Sequence, residues 1–283
     1  CSRRCTFCTI PALRGPFRSK PPEQVLDEAR ELIADGAVEL NVIAQDTTSY
    51  GRDLGGQVSL ASLLRDVAAL DGIEWVRLMY AYPRGLSDEL IGTLAGCEHV
   101  VPYVDIPLQH ICDGVLKRMG RGVTRTQIER LLGKMRRRID GLVLRTTLLV
   151  GFPGETREQF DELLAFVGSF RFDALGVFPF YPEEGTPAAR LRGRVPDDVV
   201  RRRREAIMLA QQEIAFQAGD RRIGSQVRVL VDAEGPGAIC VGRHYGQAPD
   251  IDSICRLTEP RPPGGFVDGR VVGREDYDLI VRP

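Results

Sequence analysis

The feature that most constrains this chain is a helical pattern followed by a short apolar run, repeated five times between Pro22 and about Gly219. PEQVLDEARELIADG places apolar residues at helical spacing and stops on Gly36, and the run VELNVIA follows as a strand. The unit recurs as LASLLRDVAAL with WVRLMYAY, LSDELIGTLAG with YVDIPL, TRTQIERLLGKMRRRID with LVLRTTLLVG, and REQFDELLAFVGSF with ALGVFPF. Strands joined through helices run parallel with right-handed crossovers, so the pattern predicts an α/β barrel or an open sheet covered by helices. In that plan a further strand is expected ahead of the first cysteines. After the helical stretch PDDVVRRRREAIMLAQQEIAFQAGD the pattern changes: from Gly224 onward, short β-type runs such as QVRVLVD and AICVGRHY alternate with Gly- and Pro-rich turns. This predicts a small antiparallel β-barrel. The expected domains are residues 1–219 and 220–283.

The chain opens on CSRRCTFC, three cysteines at positions 1, 5 and 8 with no fourth nearby. A structural zinc site wants four closed ligands, usually from two C-x₂-C pairs. Cys97, Cys112, Cys240 and Cys255 are isolated in sequence, and buried or incidental thiols are the reading for all four. Three ligands on one loop describe a metal site left open at one position. A zinc knuckle or reactive surface thiols are the bland alternatives. An odd number of cysteines, three of them clustered, suits a reducing compartment better than a disulfide scaffold, and the expected location is the cytoplasm. No run of eighteen apolar residues is present, which argues against a membrane helix. The net charge of −1 gives no sign of a chain built as a whole to bind a polyanion.

Active sites of βα barrels gather in the loops after the strands, and thiolates are the usual ligands of iron–sulfur clusters. With Phe7 just before the last cysteine and a βα array behind it, the C-x₃-C-x₂-C loop resembles that of the radical S-adenosylmethionine (SAM) superfamily. CTFCTIPALRG, NVIAQDTTSYG, VDIPLQH, MGRGVTR, RTTLLVGFPGET and GVFPFYPEEGTPAA, in this order, resemble the methylthiotransferase branch of that superfamily, and the last sixty residues resemble its TRAM domain. The resemblance implies a partial (β/α)6 TIM-like barrel lacking its first strand, followed by the TRAM barrel. It also implies a 4Fe–4S cluster on Cys1, Cys5 and Cys8 whose open iron chelates SAM. AQDTTSYG, FPFYPEEGT and APDID are similar to RimO-type enzymes, which methylthiolate the β-carbon of an aspartate in small-subunit ribosomal protein twelve. Enzymes of the branch that act on a tRNA adenosine typically carry Asn where this chain has Asp46. They are the alternative, followed by a non-catalytic ribosome- or RNA-binding protein that keeps a metal loop. Full-length members begin with a domain holding a second cluster on three further cysteines, which these residues do not contain.

By the same resemblance, Phe7 lies beside the cluster or adenine, or simply packs in the core. Ala44, Gln45 and Asp46 are candidates for contacts to the SAM amino group, with a turn cap as the alternative for Asp46. Arg145 has the fork geometry to hold the SAM carboxylate, or makes an ion pair. Gly151 and Gly154 permit close backbone approach to a ligand or form a turn into a helix. Gln109 and His110 face the cavity or serve structure. The runs RRR at 136–138 and RRRR at 201–204 contact RNA phosphates or form solvated helix faces. From Asp220 on there are nine Arg and no Lys against ten Asp plus Glu, a balance suited to a basic ribosomal protein docking on acids such as Asp250 and Asp252. An electron donor is the further partner expected.

Overall fold

The structure is a computed structural model and describes residues 1–55, 58–234 and 240–283. A short helix α1 (Ile10–Arg14) follows the cysteine loop. The predicted alternation then appears as α2 (Pro22–Ala34), β1 (Glu39–Val42), α3 (Leu60–Ala68), β2 (Trp75–Leu78), α4 (Asp88–Gly96) and β3 (Val100–Asp105). It continues through α5 (Asp113–Arg118), α6 (Arg125–Arg138), β4 (Val143–Val150), α7 (Arg157–Phe170), β5 (Ala174–Pro179) and the long α8 (Asp197–Arg222). The five strands form one parallel sheet in the order β1-β2-β3-β4-β5. Helices start where the sequence supplies caps: Ser59 with Ser62, Thr124 with Gln127 and Thr156 with Gln159 make reciprocal capping boxes.

Side chains alternate across the sheet, so the central strands β2, β3 and β4 contribute to two cores. Val76, Leu78, Val104, Leu144, Leu148 and Val150 point to the helices and are almost fully buried there. Trp75, Val101, Tyr103 and Val143 point the other way and are covered by Leu230 and Ala248 of the C-terminal domain. The lumen face of the open barrel is therefore plugged, at the N-terminal half of its strands, by the second domain.

That domain comprises β6 (Gln226–Glu234), β7 (Cys240–His244), β8 (Cys255–Leu257), β9 (Phe266–Glu275) and β10 (Asp278–Arg282), closed in the order β10-β8-β7-β6-β9. Residues 238–239 of the AICVGRHY run lie outside the described residues. Four of the five neighbouring pairs are antiparallel, as expected, but β8 and β10 pair in parallel. A five-stranded ring cannot alternate strand direction at every step, so one parallel pair is the geometric consequence of closure. Buried ions tie the domains together: Glu39 of β1 accepts from Arg77 at 2.8 Å and from Arg243 of β7 at 2.6 Å, and Arg77 also donates to the Tyr245 carbonyl at 2.6 Å. Among the described residues no helix is long and apolar enough to cross a membrane.

Candidate functional site

The cysteine loop lies across the C-terminal ends of β1, β2 and β3, the end at which βα folds build their sites. Arg3 reaches the segment after β1, where its Nε donates to Asp46 Oδ2 at 2.7 Å. Thr6 bonds the segment after α5 twice, through its N–H to the Met119 carbonyl at 2.9 Å and its hydroxyl to the Arg118 carbonyl at 2.9 Å. Gly120, at φ 69°, brings its backbone so close that a Cβ there would stand 2.7 Å from the Arg4 carbonyl oxygen. Phe7 packs beneath the loop with Val115, Met119, Phe152 and Phe180. This is the core-packing alternative for Phe7, and it seats the loop from below.

The thiols of Cys1, Cys5 and Cys8 are free and half-buried. Among the described residues no three His, Cys, Asp or Glu side chains are gathered closely enough for one metal ion. A four-iron cube binds each thiolate through a different iron, so it requires separated sulfurs, and a soft set of three thiols fits its chemistry.

Ala44 and Gln45 are exposed, and Asp46 is buried beside them. Burial works to raise the Asp46 carboxyl, but hydrogen bonds from Ser49, Thr48 and Arg3 outweigh it and hold the group below its ordinary range. Asp46 is thus an anionic brace between the cysteine loop and the turn after β1. A cleft of about 360 Å³ runs along β1, lined by Asn41, Ala44, Asp46, Thr47 and Tyr50.

Arg145 is placed differently from its expected role. It sits five residues before the end of β4, roughly 16 Å at the ordinary strand rise, and its guanidinium is spent on Asp105 at 2.8 Å and Asp252 at 3.4 Å. The ion-pair alternative describes it. Gly151 has φ 79°, and a Cβ there would stand 2.5 Å from Val200, so helix packing requires that glycine. Its N–H donates to Glu155 Oε2 at 2.9 Å.

Glu155 is the centre of a buried cluster at the end of β4. Burial pushes its carboxyl up, opposed by Arg203, whose Nη1 donates to Oε1 at 2.6 Å. Arg203 is therefore neither an RNA contact nor part of a solvated face. Arg136, from the other basic run, is likewise tied to Asp173 at 2.8 Å. His110 is fully buried and accepts at Nδ1 from the Cys112 N–H at 3.0 Å. Burial lowers its pKa to about 3, so it is neutral. Gln109, at φ 72°, extends the β3 line alongside β4.

Two residues around the loop escaped the sequence reading. Tyr82 carries the Arg3 guanidinium 4.0 Å from its ring centroid and that of Arg121 at 4.5 Å. Arg121 in turn lies 3.5 Å from Cys5 Sγ. The available signal was the GRG of MGRGVTR, where two glycines flank one cation; both adopt positive φ, as Gly120 and Gly122.

A model of the radical SAM superfamily matches residues 1–167, and one of the TRAM domain matches residues 223–283. The chain belongs to the radical SAM superfamily, with a TRAM barrel attached. It is 48% identical over 283 residues to the ribosomal protein uS12 methylthiotransferase RimO of Geobacter sulfurreducens, covering 99% of this chain and 63% of that protein. It is 46% identical to the RimO of Geotalea uraniireducens, with the same coverage, and 46% identical to that of Anaeromyxobacter sp. strain K, covering 61% of the latter. The chain thus spans a little over three fifths of the length of these relatives. Among solved structures, the fold is similar to the radical SAM methyltransferase TsrM of Kitasatospora setae (TM-score 0.54, 22% identity, 66% of this chain and 36% of that one). It is also similar to the coproporphyrinogen III oxidase HemN of Escherichia coli (TM-score 0.54, 17% identity, 77% and 51%).

Proposed function

We propose that this chain carries the SAM-cleaving part of a methylthiotransferase that acts on the β-carbon of an aspartate in small-subunit ribosomal protein uS12. The observation that carries the reading is the likeness to RimO proteins, 42–48% identical over nearly the whole chain, joined to three free thiols at the mouth of a parallel sheet. Cys1, Cys5 and Cys8 would hold a 4Fe–4S cluster with one iron open to SAM. Bound there, the cluster supplies the single electron that breaks the SAM sulfonium bond.

The protein's own residues bind and orient. Asp46 fixes Arg3 and with it the first cysteine interval. The close approach of Gly120 to the Arg4 carbonyl fixes that interval too, and Thr6 fixes the second against the segment after α5. Ala44 and Gln45, exposed next to the cleft along β1, are placed to meet the SAM methionine. The two domains divide near residues 219–224, and the setting is cytoplasmic with a one-electron donor as a further partner.

Charge favours a protein over a tRNA substrate. Of the barrel's arginines, Arg228, Arg243, Arg256, Arg261 and Arg274 are each ion-paired within the chain, which leaves few guanidiniums for phosphates. The test is anaerobic reconstitution with iron and sulfide, followed by reduction in the presence of SAM. The chain is expected to form 5′-deoxyadenosine, and to bind uS12 in preference to bulk tRNA. Turnover that survives Cys5→Ala, or tight salt-dependent binding to tRNA with none to uS12, would overturn the reading.

A further inference from the structure

A buried charge without a counter-ion requires an explanation, because the penalty of removing it from water is several kcal/mol unless something opposite compensates. Arg121 is such a charge. It is only 6% exposed, and among the described residues no carboxylate lies within ion-pair distance of it. Its Nη2 donates to the Pro107 carbonyl, its plane lies against the Tyr82 ring at 4.5 Å, and its Nε has no partner. The remaining contact is Nη1 with Cys5 Sγ at 3.5 Å. Arg3, the other cation on Tyr82, is by contrast neutralised by Asp46 at 2.7 Å.

The placement of Arg121 is built into the backbone. Gly120 and Gly122 hold positive φ on either side of it, and its carbonyl accepts the Tyr82 hydroxyl. The guanidinium is therefore pinned beside one particular sulfur, where negative charge on that sulfur supplies the counter-charge it lacks.

The geometry points to Arg121 as a positioning residue that donates a hydrogen bond to the Cys5 sulfur of a bound cluster and raises the reduction potential of that cluster. This rests on the assignment of Cys1, Cys5 and Cys8 as cluster ligands. Reduction adds one electron from an external mediator to the cluster, with no bond made or broken and no proton moved. A cation and a hydrogen bond at a ligating sulfur stabilise the added negative charge, and both raise the potential of iron–sulfur centres.

The experiment is a mediated redox titration of the anaerobically reconstituted chain, followed by electron paramagnetic resonance, with iron and sulfide counted in every sample. Arg121→Met removes both charge and donors. It is expected to keep its iron and to show, at a fixed poise, a ratio of reduced to oxidised cluster lower on the order of tenfold, equivalent to about 59 mV for a one-electron couple. Arg121→Lys keeps the charge but not the fork and is expected to fall between the two. An unchanged potential in an iron-replete Arg121→Met protein overturns the proposal. So does loss of iron from both variants with unfolding temperatures unchanged, which would make Arg121 a support of the loop and nothing more. Should the unaltered chain take up no cluster, or Cys5→Ala keep the full iron content, the ligand assignment itself fails and the proposal with it. That outcome is distinguished from the others by the iron count alone.

Discussion

Tyr103 of β3 donates a hydrogen bond of 2.7 Å to Asp252 of the C-terminal barrel, across the lumen face of the parallel sheet. Asp252 also accepts from the Ala248 N–H at 2.9 Å and faces Arg145 at 3.4 Å. Burial raises the Tyr103 hydroxyl's pKa, and Asp252 raises it further, so the hydroxyl stays protonated and donates. The APDID stretch, expected from sequence to offer Asp252 to a basic partner, instead uses it to dock one domain on the other. Asp252→Ala leaves a buried hydroxyl unpaired and strips Arg145 of one carboxylate. A loss of about 2–4 kcal/mol in unfolding free energy is expected, and about 1 kcal/mol for Tyr103→Phe. Urea unfolding at neutral pH measures both, and a change below about 0.5 kcal/mol in each would sink the docking argument.

Two buried histidines predict acid sensitivity. His110 and His244 each accept a backbone N–H at Nδ1, from Cys112 at 3.0 Å and Gly246 at 2.9 Å, so protonation there breaks a hydrogen bond. Burial lowers both pKa values from 6.5 to about 3, with nearby arginines adding to the effect. As pH falls below 6.5 the unfolded chain takes up protons that the folded chain refuses. Stability therefore drops from about pH 6.5 towards pH 3, by about 1.4 kcal/mol per pH unit for each histidine. His244→Gln is expected to remove about half of that slope. A stability curve equally steep with and without His244 contradicts this account.

The elements were legible because Ser59, Ser87, Thr124 and Thr156 cap α3, α4, α6 and α7, apolar residues recur at helical spacing, and the strands carry apolar runs. The pairs between distant residues were not. Arg145 reads as a free guanidinium until Asp105, forty residues earlier, and Asp252 come to lie beside it. Arg203 reads as one of four consecutive cations until α8 turns it onto Glu155. The cysteine loop was visible from its spacing. Tyr82, past the end of β2, and Arg121, in the connection between α5 and α6, hold it but share no local pattern.

Gly120→Ala is expected to destabilise the loop specifically. The residue holds φ 69°, and a Cβ would meet the Arg4 carbonyl at 2.7 Å, a backbone atom that cannot swing aside. Positive φ alone costs about 1 kcal/mol for alanine, and the clash adds to it. Iron bound on reconstitution is expected to fall, while the histidine-linked acid transition is unchanged. Gly96→Ala, on α4 with nothing within 4 Å of the added Cβ, is the matched control and is expected to bind iron normally.

The last prediction concerns the thiols. Cys1, Cys5 and Cys8 are half-buried and free, whereas Cys240 and Cys255 are enclosed in the barrel core, where burial pushes the Cys255 thiol up to about 12 and keeps it protonated. A thiol that stays protonated is a poor ligand for iron. Replacement of Cys1, Cys5 or Cys8 by Ala is therefore expected to abolish SAM cleavage and lose nearly all iron, because two thiolates do not define a single open iron. Cys97→Ala is expected to keep both, and Cys255→Ala to lower stability by about 1 kcal/mol without loss of iron. These 283 residues contain one clustered triad, so iron is expected to approach about four per chain, as for a single 4Fe–4S cluster. With SAM and reductant they are expected to yield 5′-deoxyadenosine but not methylthiolated uS12, since sulfur attachment in the methylthiotransferase branch is associated with a second cluster. Mass spectrometry of uS12 after anaerobic incubation decides the point. A methylthio mass increase produced by this chain alone would show that one triad suffices, and about eight irons per chain would show that the other cysteines take part.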